Sequence, residues 1–596
     1  MYFRLMFTKK NVMAKIFFTS VIYLIFFHLS YAQSTDNTII NIADLNLKLD
    51  SIFAKTNINE PGCAVTIIQN GKILTRKSYG QANIENQVPF THQSVVKMPY
   101  SEAREFISIA AILMEKDGIL SLHDQVRKYF PKLPEWAESV TLWDLLNHRS
   151  GFVDEWATLL LMYNNMSNRF ETEQFLRLLY NQSIPEIEPG KGYMYCNSDF
   201  GLLRLIMEKA SGQNLSDWML KRIFTPLKMK STHMQKNPLD IIPKQATMYE
   251  NAVGDGYQLA HVSKTSPGGN YYILTSAEDL ELWTAVVNDP TSEINAAIHN
   301  LMTNVRQIPG KENHYVIGYS NRTIDNQQVI LHEGVNGYNY LTRIPSKRLS
   351  VITFGNKHDD GFAEENKAIV SYLLSQTPVE PIKLDLITKP IEVPESELVK
   401  YTGNFRWQNQ VSWEGNNQPR KFSSLYIVHG KLMMRYTGNY TIQLTPVAKD
   451  IFYYKEGEDG YGVQFEFNQS SSVAPLHLTV IFDDGYPSVT MVKDTSGNWQ
   501  PTTQDLVEFT GRFYSKHLDY FWNIELNEAG KLIRKSSNLP DTNLEPDGTN
   551  QFHYIGEKYL NAGFDSWIMF NKNDRGEITH LTVWSGRVMH HRFDKQ

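Results

Sequence analysis

At 596 residues the chain is too long for one ordinary domain and predicts about three. Charged residues at 20% and hydrophobic residues at 42% describe a soluble globular protein, and a formal net charge of −6 leaves no electrostatic case for nucleic acid as a partner.

The first segment differs from the rest. Lys9, Lys10 and Lys15 lead into an apolar run from Ile16 to Leu29, and Ser30-Tyr31-Ala32 ends on a small residue before Gln33-Ser34. This pattern predicts a secretory signal peptide over residues 1–32, with Met13 as an alternative start. The apolar run is short for a membrane span, which leaves retention as an anchor as the alternative and predicts no stable membrane insertion after cleavage. No Cys lies near the cleavage point, which argues against a lipid anchor. The protein is therefore expected to be exported, either periplasmic or secreted.

Short β patterns such as Ala64-Val65-Thr66-Ile67-Ile68 then alternate with helical patterns such as Gly201 to Lys209, which predicts a mixed α/β unit of catalytic size. Within it, Tyr100-Ser101-Glu102-Ala103-Arg104-Glu105-Phe106 places a serine three residues before a permanent cation. Phe106, Ile109, Ala110, Leu113 and Met114 recur at helical intervals, Ile107, Ala111 and Ile112 fill most of the remaining circumference, and Gly118 is the stop signal. The prediction is a helix buried on nearly every side. Ser101 falls in its first turn, where free backbone N–H groups and the positive dipole end favour an oxyanion. Residue 104 lies one turn on, on the same face. The plainer reading makes Ser101 an N-cap and Glu102 to Glu105 a solvated first turn. A competing register, Ser94-Val95-Val96-Lys97, has Pro99 where it would interrupt a helix already begun.

Near residue 376 the organisation changes. Residues 377–396, TPVEPIKLDLITKPIEVPES, are rich in Pro without a helical period and predict a linker. Beyond it, alternating aromatic and polar residues are broken by Gly, Asn and Asp turns. Leu398-Val399-Lys400-Tyr401-Thr402-Gly403-Asn404-Phe405 returns as Leu506-Val507-Glu508-Phe509-Thr510-Gly511-Arg512-Phe513, and Gly430-Lys431-Leu432 returns as Gly530-Lys531-Leu532. Two copies of one small barrel or sandwich of lipocalin-like type account for this, serving to bind a ligand, to cover a site or to stabilise the rest. Cys63 and Cys196 are the only cysteines, and no Cys or His pair has ligand spacing, so a disulfide framework, a metal and a cofactor are not expected. His590 and His591 are adjacent and would point to opposite sides of a strand.

From about Glu60 to Lys357 the chain resembles the class C β-lactamases, D,D-peptidases and related esterases, the penicillin-recognising serine hydrolases. The resemblance rests on Pro61-Gly62-Cys63-Ala64-Val65 with Asn70-Gly71-Lys72, on the near Ser-x-x-Lys at Ser101, and on Leu145-Leu146-Asn147-His148-Arg149-Ser150-Gly151. It continues through Pro189-Gly190 and Tyr195-Cys196-Asn197, Gly268-Gly269 with Thr275-Ser276-Ala277-Glu278-Asp279-Leu280, and His332-Glu333-Gly334 before Asn336-Gly337-Tyr338. It implies an α/β (α+β) fold, a β-lactamase/transpeptidase-like domain with an antiparallel sheet and a helical lobe, followed by two small all-β barrel-like domains. The expected divisions are a hydrolase domain over 33–376, the linker over 377–396, and β repeats over 397–500 and 501–596.

By the same resemblance Ser101 is the nucleophile and Tyr195 the phenol that shuttles its proton. Asn197 holds the substrate amide or residue 104, and His332 orients Tyr195 or contacts substrate. The backbone N–H groups of Ser101 and Val335, next to Gly334, form the oxyanion hole. The substrate would be a small molecule or a peptide, D-amino acid amide or ester, with His332 favouring peptidase or esterase chemistry over β-lactamase chemistry. Arg104 departs from the pattern. A neutral lysine amine accepts a proton, whereas making a guanidinium do so near pH 7 costs about 7 kcal/mol. Either Tyr195 acts as sole base, its phenolate favoured by the neighbouring charge, or Arg104 fills the space a substrate needs and the protein is a pseudoenzyme that binds cell-wall peptide or a protein partner. Cys196, in the variable position of its motif, is a third candidate nucleophile.

Overall fold

The computed structural model describes residues 40–56, 59–98, 103–162, 171–236, 240–252, 256–260, 272–303, 315–316, 319–324, 327–333, 339–357, 362–375, 389–408, 422–437, 440–455, 462–471, 474–482, 489–493, 499–548, 550–559, 562–585 and 588–596. The predicted signal peptide, and Ser101, Gly334 and Val335, lie outside the described residues. Among the described residues no helix is long and apolar enough to cross a membrane.

Helix α1 (Ile42–Ile52) precedes a hairpin of β1 (Cys63–Gln69) and β2 (Lys72–Tyr79), turned by Asn70 and Gly71, both at positive φ. After β3 (Val95–Met98) comes α2 (Arg104–Lys116), then α3 (Leu142–Leu146), α4 (Glu155–Leu159), α5 (Thr172–Tyr180) and α6 (Asn197–Ser211) of the helical lobe. The chain returns through β4 (Ile273–Ser276), which pairs with β3, and α7 (Ala277–Asn288). It then completes the sheet with β5 (Tyr315–Val316), β6 (Tyr319–Ile324), β7 (Gln327–Glu333), β8 (Asn339–Ile344) and β9 (Leu349–Gly355), and closes on α8 (Ala363–Ser375). The sheet is antiparallel in the order β5-β6-β7-β8-β9-β1-β2.

The period of β1 shows why this sheet has two covered faces. Cys63, Val65 and Ile67 join Leu45, Leu49 and Phe53 of α1 and Ile369, Val370 and Leu373 of α8 in one core. Ala64 and Ile68 join α2 and Trp283 of α7 in the other. Thr66, on that second face, donates to Glu281 Oε1 of α7 at 2.7 Å. A strand buried on both faces reads as a near-continuous apolar run, as the sequence of β1 does. Helix α2 is buried as its periodicity predicts and ends at Asp117, with Gly118 at φ +72°.

The internal repeat folds twice into the same local device. Each copy starts with a helical turn, Glu395–Leu398 and Thr503–Leu506, continued by a 3-10 turn that buries Tyr401 or Phe509. Gly403 (φ +123°) and Gly511 (φ +147°) then start the first strand. A Cβ there would meet the stem of Lys493 at 3.0 Å or Lys595 at 2.8 Å, and those two lysines cross the glycines to donate to Lys400 O and Glu508 O. The repeated Thr-Gly is therefore a close backbone approach as well as a left-handed position. The first copy is a closed eight-stranded barrel from Gly403 to Lys493 with its own core of Phe405, Leu425, Met434, Phe452, Phe465 and Met491. The second is a nine-stranded sheet in which Thr542–Asn543 and Glu545–Gly548 form the two edges.

The structure differs from the expected divisions at two places. Residues 389–396 are part of the first barrel rather than linker: Ile391 N donates to Pro446 O at 2.9 Å and a helix begins at Glu395. The second repeat is not a separate bead, because Trp522, Phe513, Ile568, Leu581 and Phe593 belong to the same continuous core as α2. Trp522 Nε1 donates to Leu161 O (3.2 Å), and His517 Nε2 donates to Leu178 O of α5 (2.6 Å).

His517 stacks on His591, with centroids 4.9 Å apart, beside the Arg177–Asp519 ion pair and the Tyr514 hydroxyl that donates to Asp519. Burial lowers the His517 pKa to about 4, against the bond to Leu178 O, and burial followed by His517 holds His591 well below the usual value. A histidine released by unfolding takes its proton near pH 6.5, so stability from this contact is complete above that pH and lost as pH falls towards 4. The thermal midpoint is expected to drop between pH 7 and 4.5, and to drop less in His517→Gln, which keeps a donor for Leu178 O; equal slopes in melts of the two proteins would contradict this.

Candidate active site

Arg104 opens α2 and is one of the largest fully buried side chains of the protein. Its neighbour Glu105 fixes the helix to the sheet. Glu105 Oε1 accepts from Trp283 Nε1 (2.7 Å), Tyr319 OH (2.8 Å) and Arg343 Nη2 (2.7 Å), all buried. The solvated first turn allowed by the sequence is thus a desolvated one.

The guanidinium of Arg104 lies against the face of Tyr195, with Cζ 4.2 Å from the ring centroid, and 4.9 Å from that of Phe200. Nη2 donates to Asn197 Oδ1 at 2.6 Å and Nη1 meets His148 Nε2 at 3.3 Å. A guanidinium has donors only, so Nε2 accepts, while His148 Nδ1 lies 3.0 Å from Asp199 Oδ2 and 3.3 Å from the backbone N of Cys196. Ser150 Oγ donates to Asp199 Oδ1. Asp154 Oδ2 accepts from the backbone N–H (2.7 Å) and Nδ2 (3.0 Å) of Asn197, and its Oδ1 caps α4 through Ala157 N (2.8 Å). The Asn197 amide is thereby oriented by a cation on one side and a carboxylate on the other. Burial drives the Asp199 carboxyl well above the ordinary range, opposed by the Ser150 hydroxyl and the Arg104 charge, and the nearby Glu155 and Asp154 push the same way as burial.

Local sequence explains how these groups converge. Helix α3 stops at Asn147, and His148 turns the chain at φ +52°. Gly151 follows at φ +82°, where a Cβ would lie 2.5 Å from Ile187 O, so the last position of the Leu-Leu-Asn-His-Arg-Ser-Gly segment admits only glycine. Tyr195 precedes α6, whose first residues supply Asn197, Asp199 and Phe200.

Of the residues named from sequence, the structure brings together Arg104, Tyr195 and Asn197. Among the roles left open for Asn197, its bond to Arg104 fits the hold on residue 104. His332 lies on β7 opposite Leu341 of β8. The competing serine is excluded by geometry: Ser94 is buried, its Oγ accepts from Thr91 N (2.9 Å), and Lys97 lies on strand β3 rather than one helical turn away. Lys97 Nζ rests 3.6 Å from the centroid of Tyr272, and burial lowers its pKa to about 8. Cys196 is buried, its Sγ donates to Phe152 O (3.3 Å), and burial raises its pKa well above the usual thiol value, which removes the thiolate a cysteine nucleophile needs. Sequence reasoning missed His148 as a partner of Arg104, and Asp199 and Asp154 as the carboxylates that hold His148 and Asn197. His148 stood in a quoted motif, but its partner Asp199 is 51 residues away, a pairing that no spacing rule supplies.

An antiparallel sheet with helices on both faces, and a helical lobe that presents a Tyr-x-Asn turn to the start of the buried helix, is the architecture of the penicillin-recognising fold. The family described as Beta-lactamase matches residues 49–374, more than half of the chain, and the chain belongs to that family. Similar proteins include the D-aminopeptidase of Gluconobacter oxydans, 24% identical over 298 residues, 50% of this chain and 56% of that protein. Penicillin-binding protein 4* of Bacillus subtilis is 23% identical over 447 residues, 71% of this chain and 92% of that protein. The D-aminopeptidase of Brucella anthropi is 27% identical over 246 residues, 41% of this chain and 46% of that protein, so the chain spans about half the length of the D-aminopeptidases it matches. Among solved structures, the octameric penicillin-binding protein homologue from Pyrococcus abyssi superposes with a TM-score of 0.49 at 20% identity, covering 76% of this chain and 100% of that one.

Proposed function

We propose that this protein is an exported serine hydrolase, periplasmic or secreted, that acts on a peptide, D-amino acid amide or ester through an acyl-enzyme on Ser101. The observation that carries the reading is the seating of Arg104 on Tyr195 and Asn197. It sets the residue three positions after Ser101 in the sequence against the Tyr-x-Asn turn, which supports a nucleophile at Ser101 working with Tyr195 as its proton carrier. Ser101 Oγ attacks the carbonyl as the Tyr195 phenolate takes its proton; Tyr195 gives that proton to the leaving group, then takes one from the water that attacks the acyl carbon and returns it to Ser101 Oγ as the acid leaves. Gly334 and Val335, with the Ser101 N–H, supply the oxyanion donors, and His332 orients Tyr195 or the substrate. The D-aminopeptidases and the Bacillus penicillin-binding protein among its relatives support the substrate class.

A second reading is favoured by one contact. Arg104 is held by Asn197 where the family places a lysine amine, and it cannot accept a proton. A pseudoenzyme that binds cell-wall peptide or a protein would tolerate this. A fluorophosphonate or fluorescent penicillin is expected to label the wild type and not Ser101→Ala. Absence of wild-type labelling, restored by Arg104→Lys, would decide for the pseudoenzyme.

A further inference from the structure

The inner face of the second β unit is polarised along its axis. At one end Trp499, Phe509, Phe552 and Phe570 pack edge to face. The other end abuts the helical lobe through Trp522 and His517 and carries the polar residues Ser515, Arg534, Tyr554, Ser566, Ser585 and His591, all buried. Arg534 takes an inward position on the strand Leu532–Lys535, opposite Ile524. It is 3% exposed, with Cζ 5.1 Å from the ring centroid of Trp522 and 5.4 Å from that of Tyr554.

Arg534 Nη2 donates to Pro540 O (3.1 Å) and Thr542 Oγ1 (2.6 Å), both neutral acceptors. Its Nε has no hydrogen-bond partner among the described residues, and neither has Nδ1 of the buried His591. No carboxylate forms an ion pair with Arg534 among the described residues. A desolvated guanidinium facing only neutral groups is costly, and its Nε edge keeps a donor that an anionic acceptor could take.

We propose that this end of the second β unit is a binding site for a monoanionic organic carboxylate, held through the Nε edge of Arg534 with its apolar body against Trp522 and Tyr554. The charge count selects the class. The end contributes one positive charge, since His517 and His591 are neutral near pH 7, and one positive charge balances one carboxylate but not a phosphate dianion. A carboxylate is also the planar group that pairs with the edge of a guanidinium.

Calorimetric titration of the full chain with phenylacetate tests this. Saturable 1:1 binding is expected in wild type and unchanged in Ser101→Ala, which separates this site from the cleft. Binding is expected to weaken at least tenfold in Arg534→Gln and at least threefold in Arg534→Lys, which keeps the charge without the fork. Phenylacetamide is expected not to bind, and phenyl phosphate to bind no more tightly than phenylacetate. No saturation of wild type below ~10 mM, equal affinity in both Arg534 variants, or loss of binding in Ser101→Ala would overturn the proposal. A thermal melt shows whether Arg534→Gln is folded; if it is not, wild type and Arg534→Lys decide.

Discussion

Replacing Arg104 by methionine is expected to destabilise the protein by about 3–5 kcal/mol, the cost of removing one partner from a buried ionic cluster. Asp154, Glu155 and Asp199 are all buried, and the Arg104 charge lowers the pKa of Asp199 while the other two carboxylates raise it. The variant also strands Asn197 Oδ1 and His148 Nε2 without a donor. Arg104→Lys keeps the charge but cannot span Asn197 and His148 with a planar fork, so its loss is expected to be smaller, about 1–3 kcal/mol. The pH dependence separates charge from packing. The raised pKa of Asp199 means that the fold prefers its protonated form; stability from that group is complete below its unfolded value and lost as pH rises through the folded one. Removing Arg104 raises the folded value further. The gap between wild type and Arg104→Met in urea denaturation is therefore expected to be wide at pH 8 and narrower at pH 5. A gap independent of pH would mean that Arg104 contributes packing alone.

Arg104 also marks where the sequence stops being legible. The buried helix and the repeat pair were readable because each is encoded locally, by an apolar period or by a recurring segment, whereas the stretch turned by Asn70 and Gly71 entered only through the resemblance. The tight turn at Gly151 was recognisable as a motif, and its cause, the approach of Ile187 O, only in three dimensions. The environment of Arg104 has no local signature. It is assembled from residues 148, 154, 195, 197 and 199 on α6 and on turns that the helical lobe brings together, and the burial that reverses the expectation of a solvated first turn is a tertiary effect. The docking of the second repeat was hidden for the same reason. The two copies share their opening turn, glycine and lysine, yet Trp522 and His517 make one of them part of the core that contains α2.

That asymmetry gives the second large effect. Trp522 is fully buried, stacks on Phe593 with centroids 4.5 Å apart, and donates to Leu161 O. Trp522→Ala is expected to cost about 3–5 kcal/mol through the cavity it leaves, and to orphan a carbonyl two residues beyond α4. Trp522→Phe keeps most of the ring and is expected to lose mainly the hydrogen bond, about 1 kcal/mol. The first barrel has a core of its own, whereas the second repeat shares one with α2. Scanning calorimetry is therefore expected to resolve two transitions, of which Trp522→Ala lowers one and leaves the other in place. A single transition that moves as a whole would show that the first barrel is coupled as tightly as the second. Because α4 is capped by Asp154, which holds Asn197 and through it Arg104, loosening at Leu161 is also expected to slow fluorophosphonate labelling in protein that is still folded. The C-terminal repeat would then maintain the geometry of the site through α4.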